Sequence, residues 1–520
     1  MNTMEGLYRP NENLSYSIDL GDPGSPPFTR GIHSSMYRGK EFTMRQLTGF
    51  GSPSDTNKRI KYMLANGATG ISVLFDFPTI QLRDSDSPLS SGHVGFSGVC
   101  VDTIEDMHTI FDGIDLSKYS IALVTHYPSN TAILFSMFLA MAGEKGYNVS
   151  GLRGSVQNDV TMEEVIRCGS DFIPPRPCFR LQNDNIEFII NNMPNWSPIT
   201  LNGYNLRDAG TSDVTEMAVA ISNGIETISE LRSRGYDPSF VSSKIAFFWS
   251  IGNNFLNEVA RLRAVRKLWC NILANTFSIT DEKALKLKCH VQTSGVTLTR
   301  QEPHNNIIRA AYQALAAVFG GVQSLHVDSF DEAYSVPTEE AALLSLRTQQ
   351  IIQTETGITD VVDPLGGSYY LEHLTLQYEA LIKDKVSEIS KLGGFISLVE
   401  SGKLNAEMAE FAYKQQKDIE SGKLKIIGVN KHPSSSPASI TPFTYPEGVE
   451  ENQIKSLQWI KATRDNRKLS NSLKALEKVC KSNSNTLLAC IDCAQRRATK
   501  EEMFSVFKKS FGLWSKPLSV

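Results

Sequence analysis

The chain has 520 residues, 52 Lys plus Arg against 56 Asp plus Glu, a formal net charge of −4 and eight scattered cysteines. That length allows a full barrel plus an appended region, and the slight acidity excludes an electrostatic footprint for nucleic acid, so any phosphate has to be held locally. The cysteine usage fits reduced thiols in a cytoplasmic protein rather than a disulfide scaffold.

In chain order, MNTMEGLYRPNENLSYS carries neither a basic start nor an apolar core, so no secretory leader is expected. Residues 1–40 are rich in Pro, Gly and polar groups and are expected to form an extended arm. From 41 to 427 a rhythm of alternating elements sets in. Expected strands are 70–76, 119–125, 152–156, 198–203, 244–250, 285–291, 322–327 and 359–363. Helical spacing covers 54–65, 131–144, 214–233, 255–272 and 338–354. Alternation in this number favours the α/β class, a (β/α)8 TIM barrel, over an open sheet. No G-x-G-x-x-G follows the first strand, which weighs against a dinucleotide fold.

The most apolar run, 132–143, is too short to cross a bilayer, so no membrane partner is expected. A long helix over 371–391 is followed by a linker and C-terminal helical region, 428–520. Its Pro/Ser-rich segment 428–443 precedes short charged helices over 453–513 that suit docking to another subunit. Cys490 and Cys493 form a CxxC, but inside a helical stretch without a second pair, so packing is the expected role.

The strand ends carry the chemistry. They offer Asp76, then Thr125 with His126, Gln157 with Asn158 and Asp159, and Tyr204 with Asn205. Further on come Trp249 with Asn253, His290 with Gln292, Gln323 with His326, Asp331 and Glu332, and finally Asp363. Amides, hydroxyls and imidazoles dominate over carboxylates. Such a set suits hydrogen bonding to a polar, carbonyl-bearing ligand more than binding of a hard metal ion, and no metal site is expected.

In this order, MYRGKEFTMRQLTGFG (36–51), FDFPT (75–79), DSDSP (84–88), QND (157–159), GYNLRDAG (203–210), FFWSIGNNF (247–255), HVQTSG (290–295), QSLHVDSFDEA (323–333) and DPLGGSYY (363–370) resemble the large subunit of methylmalonyl-CoA mutase and its relatives, split-subunit types such as isobutyryl-CoA mutase included. The resemblance spans almost the whole chain. It implies a coenzyme B12-dependent isomerase in which a deoxyadenosyl radical drives a 1,2-shift in an acyl-CoA threaded through the barrel.

By matched position, the resemblance assigns acyl-CoA contacts to Ser35, Met36, Lys40, Thr43, Arg45, Ser72, Ser155, Gln157, Lys244, His290, Gln292, Gln323 and Ser324. It assigns the cofactor-facing set to Phe75, Ser97, Asp208, Gly295, Asp328 and Glu332, with Asp328 and Glu332 near the adenosyl ribose. The reacting centre would comprise Tyr204, Asn205, Gln157, Arg167 and Leu47. Leu47 stands where methylmalonyl-CoA mutase has Tyr, Asn205 where the family has a thioester-binding His, and Val296 where it has Trp. Arg167 keeps the family's carboxylate-binding Arg.

These departures imply an acyl-CoA other than methylmalonyl-CoA or, alternatively, a non-catalytic structural partner in a heteromeric mutase. The family's cobalt-ligating Asp-x-His-x-x-Gly is absent. Asp106-Met107-His108 comes nearest but runs on to Phe111, so His108 is expected on the surface. The resemblance therefore implies adenosylcobalamin whose cobalt-ligating domain comes from a separate small cobalamin-binding subunit, and by analogy a GTPase chaperone.

Overall fold

The computed structural model describes residues 6–12, 14–166, 171, 173–435, 440–515 and 517. Its strands are β1 Thr43–Thr48, β2 Gly70–Leu74, β3 Ser120–Val124, β4 Arg153–Val156, β5 Trp196–Ser197, β6 Ile199–Asn202, β7 Ile245–Ile251, β8 Lys288–Thr293 and β9 Ser324–His326. They form one sheet in the order β5-β4-β3-β2-β1-β9-β8-β7-β6. The pairs β1–β2, β1–β9, β2–β3, β3–β4, β4–β5, β7–β8 and β8–β9 are all parallel. At the end of that order β6 bonds on both sides: Thr200 N–H to the Gln157 carbonyl at 3.0 Å, and Gly203 N–H, just past the strand, to the Phe248 carbonyl at 2.8 Å. Parallel strands joined by helices in this order define the α/β barrel class.

By packing, the chain divides into two compact units, residues 1–44, 201–398 and 405–442 in the first, and 45–200, 399–404 and 443–520 in the second. In the first, helix Asn305–Phe319 packs on β7 and β8, helix Asp213–Ser233 packs on β7, and helix Tyr369–Lys391 packs on Asp213–Ser233 and Phe255–Phe277. Phe247 stacks on Trp249 at 5.2 Å and meets Trp269 edge-on at 5.0 Å. Beneath them Arg261, fully buried, pairs with Glu216 at 2.7 Å and Glu258 at 2.5 Å, while Arg207 reaches Glu258 at 2.7 Å. Charges so far from water persist because each is paired and hydrogen-bonded.

In the second unit, Trp196 of β5 packs on Phe135 and Phe138 with centroids 5.3 and 5.6 Å apart. Helix Leu487–Gln495 lies on helix Ser136–Glu144, burying Cys490 and Cys493 as free thiols. His108 is half-buried, with Nε2 2.9 Å from Glu144 Oε2. Buried Lys500 is ion-paired with Asp102, whose other oxygen accepts from Gln453 Nε2 at 2.8 Å. The C-terminal helices are thus part of this unit's core. No helix among the described residues is long and apolar enough to cross a membrane.

Most expected elements stand within a few residues of their assigned limits, but one expected strand does not form. Residues 358–360 make a 3-10 turn, and Val361 is 48% exposed. Asp363 adopts a positive φ of 49° and accepts from Arg30 Nε at 3.0 Å while also pairing with Arg263. Two valines beside an ionic latch do not sustain a ladder. The strand that takes the place is β1, whose buried positions Met44, Gln46 and Thr48 alternate with the half-buried Thr43, Arg45 and Leu47. Its polar content hid it from a reading that sought apolar runs.

Candidate active site

In the first unit, strand register stacks side chains in rows. Phe248 pairs with His290 and His290 with Ser324, while Ser250 pairs with Gln292 and Gln292 with His326. Thr43 continues the first row from β1. Residues two apart on a strand share a face, so the two rows form a patch along one side of β7, β8 and β9. Within it the Phe248 ring lies 5.0 Å from His290 and stacks on Tyr204 at 4.9 Å and 11°. His290 Nδ1 is 2.7 Å from Ser324 Oγ.

Gln292 organises the upper row. Its Nε2 donates to Tyr204 Oη at 2.9 Å and to Asp328 Oδ1 at 2.8 Å, and the same Asp328 oxygen lies 3.1 Å from His326 Nε2. Asp208 Oδ1 accepts from Ser294 Oγ at 2.9 Å and from Ser250 Oγ at 3.1 Å. Gly295 leaves a cradle: a Cβ there would sit 3.5 Å from Tyr204 Oη, 3.6 Å from Asp328 Oδ2 and 3.7 Å from Asp208 Oδ2. Asp328 Oδ2 is buried with no hydrogen-bond partner among the described residues.

This crowding of acids shifts their titration. Burial, reinforced by Asp328, raises Asp208 to about 6 against the stabilising bonds from Ser294, Ser250 and Tyr204. Enclosure by protein, then Asp328, Asp331 and Asp208, push the Glu332 carboxyl well above the usual range, although part of the residue reaches solvent. Burial, then Asp328, Asp208 and Glu332, raise the Tyr204 phenol, so it stays a neutral hydroxyl at physiological pH. The patch is a set of hydroxyls, an amide and carboxyls, with Asp208 and Glu332 raised above their ordinary range, suited to polar, hydroxyl-bearing groups.

Asn205 begins beside it. Its Oδ1 accepts from Asn202 Nδ2 at 2.9 Å, and its backbone N–H donates to Asn202 Oδ1 at 2.9 Å. The same unit gathers cations at the strand starts. Lys244 precedes β7 and Lys288 opens β8, and burial together with Lys244 lowers Lys288 to about 8. Burial, Lys286 and Lys40 together lower His33. Ser35 is exposed next to Met36, a buried residue with φ 41°.

Gln323, expected to contact substrate, has both side-chain atoms engaged by backbone: Oε1 accepts from Cys289 N–H at 2.9 Å and Nε2 donates to the Gly321 carbonyl at 2.9 Å. Asp331 caps the next helix by accepting from Thr338 N–H at 2.9 Å and from Thr338 Oγ1 at 3.0 Å.

In the second unit Leu47, Ser72, Ala122, Ser155 and Ser197 form one register row. Arg45, two residues before Leu47, donates to the Ile71 and Ser120 carbonyls at 3.3 Å each and to Ser120 Oγ at 2.5 Å, and burial lowers it to about 10. Gln157 lies past β4 with Oε1 buried and unpartnered among the described residues. Phe75 is fully buried, and Ser97, exposed at φ 59°, donates its N–H to Tyr445 Oη at 3.1 Å. Arg167 lies outside the described residues.

Several strand-end groups serve the fold. Asp76 accepts from Thr79 N–H at 2.8 Å and Gly95 N–H at 2.6 Å, and Asn158 Nδ2 donates to the Gln182 and Pro198 carbonyls at 3.0 and 3.1 Å.

The first unit therefore brings together Tyr204, Asp208, His290, Gln292, Gly295, Ser324, Asp328 and Glu332. Sequence reasoning missed four neighbours of that set: Asn202, Ser250, Ser294 and Lys288. Ser250 and Ser294 stand two residues beyond Phe248 and Gln292, so strand parity carried the signal. Asn202 and Lys288 gave none.

Fold and patch define a class: a parallel α/β barrel whose strand ends offer amides, hydroxyls and protonatable acids to a polar ligand. A family model described as methylmalonyl-CoA mutase matches residues 2–513. Over 499 residues the chain is 39% identical to the 2-hydroxyisobutanoyl-CoA mutase large subunit of Aquincola tertiaricarbonis, covering 95% of this chain and 88% of that protein. It is 37% identical over 521 residues to the methylmalonyl-CoA mutase of Cereibacter sphaeroides, covering 98% and 72%. With the mitochondrial methylmalonyl-CoA mutase of Homo sapiens it shares 36% identity over 515 residues, covering 98% of this chain and 68% of the human protein. The chain belongs to the methylmalonyl-CoA mutase family, whose members are isomerases.

Proposed function

We propose that this chain is the large subunit of an adenosylcobalamin-dependent mutase that rearranges the carbon skeleton of an acyl-CoA other than methylmalonyl-CoA. The single observation that carries the reading is the Tyr204, Gln292, Asp328 and Asp208 constellation around Gly295. An orphaned buried carboxylate oxygen and a cradle open by one Cβ fit a hydroxyl-bearing group such as a ribose, which Asp328, Asp208 and Glu332 would hold.

Adenosylcobalamin supplies, when bound, a carbon-centred radical. The residues here bind and orient. His290, bonded to Ser324, and Gln292, bonded to Tyr204, hold the thioester region, while the stacked Tyr204 and Phe248 rings keep it dry. Lys40, Lys244 and Lys288 offer cations for the phosphates of the CoA tail. Arg167 is the expected partner for a carboxylated acyl group, and Leu47 gives that group apolar room where a tyrosine hydroxyl would bond it. The cobalt-ligating domain comes from a separate small subunit.

A second reading, a non-catalytic barrel paired with an active one, is favoured by Gln323 and Arg45, whose side chains are committed to protein partners. Calorimetric titration of the chain alone with isobutyryl-CoA, methylmalonyl-CoA and acetyl-CoA separates the two. Saturable binding, weakened in Gln292→Ala, is the expected result; no heat from any acyl-CoA would sink the enzyme reading.

A further inference from the structure

Asn202 ends β6 and is fully buried, and Asn205 lies in the first turn of helix Tyr204–Asp208, half-buried. Two bonds of 2.9 Å join them, Asn205 N–H to Asn202 Oδ1 and Asn202 Nδ2 to Asn205 Oδ1. Their polarity follows from chemistry that does not depend on which way an amide is drawn. A backbone N–H only donates, so Asn202 has to turn its oxygen toward it. The other end of the Asn202 amide, an NH2, then faces Asn205. An NH2 also only donates, so Asn205 has to answer with its own oxygen. What remains on Asn205 is its NH2. A backbone N–H thus dictates, through two amides in series, that Asn205 offers donors to whatever lies beyond the pair.

We propose that Asn202 is a positioning residue that fixes the hydrogen-bond polarity of Asn205, so that Asn205 donates to the thioester carbonyl of a bound acyl-CoA. The proposal rests on the acyl-CoA reading given above and goes beyond it in naming what makes an asparagine serviceable at this position. An asparagine free to turn would offer oxygen and NH2 alternately, and its oxygen would repel the carbonyl. With Asn202 in place only the attractive face is presented, and no proton transfer is asked of it.

Substitution at 202 makes the relay falsifiable. In Asn202→Asp the carboxylate still accepts the backbone N–H, but its second oxygen requires a donor. Asn205 then turns its NH2 inward and presents its oxygen, reversing the polarity of the site. In Asn202→Ser the backbone bond is kept and the relay is released.

The readout is isotope-edited infrared spectroscopy of acetyl-CoA labelled with 13C at the carbonyl, bound to the full chain. A donor to the carbonyl lowers its stretching frequency. The expected result is a band at higher frequency in Asn202→Asp than in wild type, close to that of Asn205→Leu, with Asn202→Ser between them. In the Asn205→Leu background, Asn202→Ser shifts the band no further, as residues acting through one another require.

A wild-type band in Asn202→Ser overturns the proposal even if Asn202→Asp fails to fold. So does an equal shift by Asn202→Ser with and without Asn205, which would mark a general distortion. Should wild type bind no acetyl-CoA or isobutyryl-CoA at all, the acyl-CoA reading fails, and the proposal with it.

Discussion

At the level of single residues, Asp208 is a raised carboxyl inside the candidate site. Its carboxyl stands at about 6 against an ordinary 3.8, raised first by burial. A carboxyl whose folded value is raised keeps its proton longer than the unfolded chain does, so stability falls as pH rises from about 4 to about 6. Asp208→Asn removes that dependence and retains an acceptor for Ser250 and Ser294. Urea denaturation across this range is expected to show a flatter pH profile for the variant, with a gain of at most ~3 kcal/mol above the transition. An unchanged slope would mean that Asp208 is not the group responsible. Gly295→Ala tests the neighbouring cradle. The added methyl would make ordinary contacts of 3.5 to 3.7 Å and needs no unusual backbone, so stability and acyl-CoA binding are expected to hold. Cofactor-dependent turnover is expected to fall about tenfold or more, equivalent to ~1.4 kcal/mol of lost differential binding. The candidate side chains His290, Gln292, Asp328 and Glu332 were legible because they are polar residues at strand ends. Asn202 was not, since its role lies in a hydrogen-bond direction that residue identity does not carry.

At the scale of elements, helix spans were the most readable feature. Regular apolar spacing and good starts such as Ser52 with Asp55, a reciprocal capping box ahead of Pro53, announce helices locally. Strands were readable where apolar residues dominate, as in GISVL of β2, and not in β1, where Thr43 and Arg45 stand on one face and Gln46 and Thr48 on the other. Strand β1 was lost for that reason, and 359–363 was gained wrongly because two valines imitate a strand when their ion-paired surroundings are unseen.

The loop after β2 offers a sharper test of how elements are held. A Cβ on Gly98 would lie 2.1 Å from the Phe75 carbonyl carbon and 2.4 Å from Asp76 N, both backbone atoms that cannot swing aside. Gly98→Ala is therefore expected to cost about 3 kcal/mol and to lower the melting temperature by several degrees. A melting curve superimposable on wild type would show that β2 and this loop are not locked together. Because Asp76 is anchored by Gly95 and Thr79, the same strain would reach the exposed Ser97 turn.

For the whole molecule, the barrel belongs to the methylmalonyl-CoA mutase family, and the function proposed above pairs it with a separate cobalamin-binding subunit. The match covers 88% of the length of the Aquincola large subunit and 68% of the human mutase. Family membership was legible from motifs spread over the entire sequence, whereas substrate identity was not. The proposed choice of substrate turns on Leu47, Asn205 and Arg167 in combination. The most direct measurement of the central claim is absorbance and electron paramagnetic resonance of the chain mixed with a small cobalamin-binding subunit, adenosylcobalamin and a panel of acyl-CoAs. A cob(II)alamin signal that appears only when one particular acyl-CoA is added, together with its rearranged product, is the predicted result. Silence with every acyl-CoA, under conditions where the two subunits associate, would contradict it.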